Sequence, residues 1–385
     1  MTEEQILNWR QEFPILAQKI HVANCSQGPQ SKRVRESIDA YLKSWQTAGM
    51  DWELWLEEVF KAKQEFARLI HAEADEIALS TSASAATASV ASALNLSGRR
   101  NKVVTTEAEF PTVVLVWLAH QKYGLQVAHL PLQNGRIPLQ AYRDHVDETT
   151  LLASATHIYY QNGFKQDLQK IAEIVHQRGA WLFVDAYQSL GVCQVDVRKM
   201  DIDFLISGNL KYLLGIPGIA FLYVKNELVE SLRPALTGWF GQADPFAFDS
   251  KYLSFANDSR RFETGTPSLI TAYAARAGMQ IINEVGSQNI EARIRTLSDF
   301  TVACARQLGL EYAGPENLAE KGAITAIKVP NPHKVESLLK ERNIIASARG
   351  EVIRIAPHFF TTLEDIEQVL MEISKIIRQP GGVFS

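Results

Sequence analysis

Apolar and polar positions alternate in blocks from about residue 75 to residue 225. Short apolar runs predict strands at Ile77–Ser80, Lys102–Thr105, Gln126–Leu130 and Leu151–Tyr160. Small or amphipathic stretches between them predict helices at Ser84–Leu96, Pro111–Tyr123 and Gln166–Arg178. Three more buried strands are predicted, in Trp181–Gln188, which ends in an acid and an amide, in Asp201–Lys211, which ends in a lysine, and at Gly218–Val224. This βαβ alternation predicts an α/β fold, a mostly parallel central sheet with helices on both faces. Thr266–Val285 and Gln288–Leu308 read as long helices. Beyond them, strand Ala323–Val329, helix His333–Asn343, strand Val352–Ile355 and helix Leu363–Ile377 predict a small α+β C-terminal domain. The expected division is a large domain over 20–285 and a small one over 286–385, with residues 1–19 packing against the latter.

Composition narrows the class. With 46% apolar and 21% charged residues, the 385-residue chain is ordinary for a globular protein. A net charge of −4, with no dense Lys/Arg run, offers no general attraction for nucleic acid. No apolar run reaches the ~20 residues that span a bilayer, and no apolar signal core opens the chain. Three scattered cysteines, Cys25, Cys193 and Cys304, suggest neither a disulfide framework nor a metal site and suit a reducing cytoplasm.

The chemistry gathers at strand ends. Asp185 closes one apolar run, and Lys211 follows the next in Ser207-Gly-Asn-Leu-Lys211. A carboxylate and a lysine just past strand ends suit pyridoxal 5′-phosphate (PLP): the lysine forms the Schiff base and the acid holds the pyridinium nitrogen. A strand-end Asp also serves as a helix cap, and a lysine as a surface charge; the pattern of both together favours the cofactor. Gln188 is placed to donate to the cofactor's phenolic oxygen. Ser82, Ala83 and Ser84 follow a strand and open a helix, where free amides cradle phosphate. A Rossmann enzyme would share the alternation, but neither G-x-G-x-x-G after the first strand nor a P-loop is present.

Phe183-Val-Asp185-Ala-Tyr-Gln188 followed by Asp203-Phe-Leu-Ile-Ser-Gly-Asn-Leu-Lys211 resembles the class V aminotransferase family of fold-type I PLP-dependent transferases. That family includes cysteine desulfurases, kynureninases and isopenicillin-N-epimerase-like proteins. The resemblance implies that Lys211 and Asp185 are catalytic. It implies that Phe110, in Glu107-Ala-Glu-Phe110-Pro111, stacks on the cofactor, and that Tyr160 faces ring and substrate. Trp239 and Thr266 fall in segments expected near phosphate, the latter reaching a neighbouring subunit, which implies a homodimer with shared sites. Arg354 would clamp the substrate carboxylate, with Asn24 nearby. Desulfurases carry Ser-x-His before the lysine; here those places hold Gly208 and Leu210, so Ser207 or Asn209 is expected to contact phosphate instead. They also carry a nucleophilic Cys on a small-domain loop, which Ser347–Glu351 lacks. The implied activity is on an amino-acid substrate through an external aldimine. Transamination is favoured, with C–S elimination, kynureninase-like cleavage and epimerisation as alternatives, and a non-catalytic binding protein on the same fold behind them.

Overall fold

The apolar runs through residues 75–225 become a seven-stranded sheet in the computed structural model, which describes residues 1–378. Residues 379–385 of the expected C-terminal domain lie outside the described residues. In chain order the strands are β1 (Ile77–Ser80), β2 (Lys102–Thr106), β3 (Gln126–Leu130), β4 (Thr150–Thr156), β5 (Trp181–Asp185), β6 (Phe204–Gly208) and β7 (Ala220–Val224). Across the sheet they run β1-β7-β6-β5-β4-β2-β3. β7 is antiparallel to both neighbours, and the remaining pairs are parallel.

Helices cover both faces. Leu152, Phe183, Phe204 and Leu222 pack toward the helices at Ala83–Ala93 and Pro111–Ala119. Their sequence neighbours Ala153, Val184, Leu205 and Phe221 point the other way, toward Phe66, Ile171 and Met279. Burial on both faces is why these strands read as continuous apolar runs rather than alternating ones.

The boundaries shift where local chemistry intervenes. The expected strand Leu151–Tyr160 leaves the sheet after Thr156 and turns toward the strands' carboxyl ends. The helix expected from Thr266 starts at Leu269, after Pro267. Two long helices, Lys32–Ala48 and Trp52–Ile70, were not foreseen; Ser31 and Asp51 cap them by accepting from the amides of Val34 and Leu54.

A second, four-stranded antiparallel sheet joins Glu311–Tyr312, Thr325–Lys328, Val352–Ile355 and Ser347–Arg349. The segment expected as the loop Ser347–Glu351 is a strand turning at Gly350 into the next. The N-terminal segment lies along this part of the molecule: Ile20–His21 pairs in parallel with Ile344–Ile345, Arg10 meets Asp365 at 2.6 Å, and Phe13 packs on Phe360. That segment then crosses to the large sheet, where the Gly28 amide donates to Leu210 O at 2.9 Å.

Candidate functional site

β4, β5 and β6 end at one level, so the residues just beyond them face a common space. A cavity of about 290 Å³ opens there, walled on its far side by the antiparallel sheet. Lys211, Asp185, Gln188 and Ala83 line it. Phe110, Tyr160 and Arg354 complete its wall among the expected residues. A larger cavity of about 640 Å³ lies elsewhere, around Lys165 and Glu291, and holds none of these groups.

Lys211 Nζ projects between two rings, 5.6 Å from the Phe110 centroid and 4.3 Å from that of Tyr187. Burial pushes its pKa down to about 8, although Asp185 and Cys25 oppose that fall. A lysine near neutrality at pH 8 is the nucleophile that Schiff-base chemistry needs.

Asp185 is buried, and burial raises its pKa; the Tyr187 amide, donating to Oδ1 at 2.8 Å, and the charge of Lys211 counter the rise. Behind it lies a second buried acid, Glu109, one oxygen of which is 3.4 Å from Ser154 Oγ while the other has no partner. Burial first, and the charge of Asp185 second, push Glu109 well above the carboxylate range. No salt bridge forms at Glu109 among the described residues, so its rise is the less opposed of the two, whereas Lys211 counters that of Asp185.

Arg354 sits on a central strand of the small sheet and is fully buried. Its Nη1 donates to Tyr160 O at 2.9 Å, and its Nη2 donates to Ser347 Oγ at 2.7 Å and Ser26 Oγ at 3.0 Å. Nε has no partner, and no carboxylate pairs with this guanidinium among the described residues. A buried guanidinium held only by neutral oxygens is poised for an incoming carboxylate. Phe110 packs edge-on against Tyr160, with centroids 5.1 Å apart. Gln188 donates through Nε2 to Cys25 O at 3.1 Å, which leaves its Oε1 buried without a partner.

The other expected residues lie outside the cavity lining. Ser82 caps the Ala83–Ala93 helix by accepting from the Ala85 amide, and Ser84 faces an adjoining surface groove. Ser207 turns its hydroxyl back to Gly208 O. Asn209 is buried with both amide atoms unpartnered. Trp239 packs into an aromatic knot with Phe240, Phe246 and Phe248. Thr266 is exposed beside Ser80 and Thr81. Asn24 donates to Ala356 O at 2.8 Å, pinning the segment that carries Cys25 and Ser26 into the wall. The lining also includes Tyr187, Thr156 and Arg349, which the motifs did not single out. Tyr187 stood in plain view between Asp185 and Gln188.

The profile described as Aminotransferase class-V matches residues 28–369. The chain belongs to that family. An aminotransferase named YcbU and described as uncharacterized, from Bacillus subtilis, is 39% identical, covering 95% of this chain and 96% of its own length. A kynureninase from Deinococcus radiodurans is 29% identical over 88% of this chain and 85% of its own. Among solved structures, the apo cysteine desulfurase of Thermococcus onnurineus superposes with a TM-score of 0.88 at 24% identity, covering 98% of both chains, and so shares the fold. The α/β, fold-type I architecture is thereby shown, and the chain is a PLP-dependent enzyme.

The cavity suits that cofactor. Asp185 offers a carboxylate to a pyridinium, Phe110 an aromatic face, and the start of the Ala83–Ala93 helix offers unbonded amides to a phosphate. Among the described residues no group of three or more His, Cys, Asp or Glu side chains forms a metal site, and no helix is long and apolar enough to cross a membrane.

Proposed function

We propose that this enzyme transaminates an amino acid. The observation that carries the reading is the placement of Lys211, Asp185 and Arg354 around one small cavity. Arg354 receives the substrate's α-carboxylate, and in doing so fixes where Cα stands relative to Lys211. When bound, PLP supplies an electron sink for the bond broken at Cα. Asp185 holds the ring nitrogen protonated. Lys211, once free of the cofactor, takes the Cα proton and returns one. Phe110 and Tyr160 keep water from the reacting face.

The name of the 39%-identical relative supports transamination. The kynureninase-named relatives support a second reading, cleavage or elimination at the side chain, which would use the same Lys211 proton transfer. Mixing holoenzyme with a panel of amino acids and no acceptor separates the two. Stoichiometric pyridoxamine phosphate and a keto acid mean transamination. Catalytic pyruvate with sulfide or a thiol, or anthranilate from kynurenine, means a lyase and overturns the proposal.

The working form is a homodimer in the cytoplasm. Phe246, Phe248, Tyr252 and Leu253 form an exposed apolar stretch, which a second copy would cover. Thr266, exposed and outside this chain's own cavity, then serves the neighbour's phosphate. Three unpaired cysteines fit a reducing compartment. Light scattering of the holoenzyme that gives a monomer mass would refute the dimer.

A further inference from the structure

Tyr187 is the ring nearest to Lys211 Nζ, nearer than Phe110. Its position is fixed by the strand beneath it. A Cβ on Gly208 would overlap Tyr187 Cζ and its hydroxyl oxygen, so the hydroxyl lies directly over the last residue of β6. Any side chain at 208 would evict it.

β6 ends level with the strands on either side of it. Gly208 stands opposite Ala220 of β7, and Ala220 stands opposite Ser80 of β1. The Ala83–Ala93 helix begins just after Ser80. Asp185 and Thr156 extend in the other direction, paired with each other on β5 and β4. The hydroxyl therefore lies over the end of β6, in a cavity wall that Tyr187 shares with Ala83 at the start of that helix.

That end of the cavity is rich in donors. The first helix amides have no intrahelical partner, and the Tyr187 hydroxyl, which lies beside the Leu210 backbone, has no acceptor for its own proton among the described residues. Burial pushes Tyr187 up to about 12, so it stays a donor through the neutral range. Ser207, one of the two residues expected to contact phosphate from this strand end, turns its hydroxyl to Gly208 O, and neither it nor Asn209 lines the cavity. Donors without a protein acceptor mark a place for an anion.

We propose that the Tyr187 hydroxyl donates a hydrogen bond to the phosphate of PLP, completing the cradle begun by the Ala83–Ala93 helix, while its ring walls one side of Lys211. The assignment rests on the PLP reading, and its test is chosen so that the two can fail separately.

Apoprotein is titrated with PLP and with pyridoxal, which lacks the phosphate, following visible absorbance and quenching of intrinsic fluorescence. Tyr187→Phe keeps the ring and should weaken PLP about ten- to a hundredfold, as a charge-assisted hydrogen bond commands. Its affinity for pyridoxal should stay that of the wild type. In the pair Tyr187→Ala and Tyr187→Ala/Gly208→Ser, the serine returns a hydroxyl to the vacated space and should recover much of the PLP affinity lost by the alanine. Equal loss for both ligands in Tyr187→Phe, no loss at all, or no recovery in the double variant would overturn the proposal. A wild-type protein that binds neither ligand would instead overturn the cofactor reading.

Discussion

The depressed pKa of Lys211 has a consequence for the stability of the apoprotein. The folded value is about 8 against an ordinary 10.5, and burial is the main cause. Below pH 8 both folded and unfolded chains carry the ammonium, and the fold bears the cost of burying it. Between pH 8 and 10.5 the unfolded chain still holds the proton that the folded chain has released. Raising the pH through this window therefore stabilises the fold, by about 2–3 kcal/mol between pH 7 and pH 10. Lys211→Met removes the titration. Urea unfolding of both apoproteins at pH 7 and pH 10 should show the wild type gaining that amount relative to the variant. Lys321, buried and pushed down to about 7, titrates nearby but is the same in both proteins, so it cancels in the difference. An identical pH response in the two proteins would show that Lys211 is not desolvated in the empty cavity, and the argument for its activation would fall with it.

Arg354→Lys keeps the charge but loses the fork. The amino-acid concentration that half-converts the holoenzyme spectrum should rise about a hundredfold, with little change in PLP affinity. Burial pushes His358 down to about 4, against the opposing Tyr212 carbonyl, and His21 likewise to about 4. Their contribution is complete above pH 6.5 and lost as pH falls toward 4, so His358→Gln should remove about 3 kcal/mol of acid sensitivity from unfolding curves between those values. The buried Lys63–Glu263 pair holds the end of β1, because Glu263 also accepts the Leu79 amide at 3.0 Å. Lys63→Met leaves that carboxylate without its cation and should cost about 3–5 kcal/mol in denaturant midpoint analysis, whereas Lys63→Met/Glu263→Gln should cost less.

The sheet was legible because its strands are buried on both faces and so appear as dense apolar runs. The helix Trp52–Ile70 was also legible in principle: Trp55, Val59, Ala62, Phe66 and Ile70 follow helical spacing. Lys32–Ala48 was harder, since only Val34 and Ser37 along it are buried. In the site, Asp185, Gln188 and Lys211 could be found because their chemistry lies at strand ends. Tyr187 could not, because its meaning depends on Gly208, which meets it only once β5 and β6 are side by side. Trp239 is placed by neighbours that the motif did not include. Phe246 and Phe248, close in sequence, hold it in a local cluster outside this chain's own cavity lining.

Arg354 also says something about how the molecule is made. Its hydrogen bonds reach Ser26 and Tyr160, 328 and 194 positions earlier in the chain. Lys211 and Asp185, in contrast, come from neighbouring parallel strands in the middle of the sequence. During synthesis the large sheet can assemble while the last strands are still inside the ribosome. A nascent chain thus acquires its lysine and acid well before the guanidinium proposed to receive the substrate. Synthesis therefore runs from the residues proposed for the cofactor to the one proposed for the substrate.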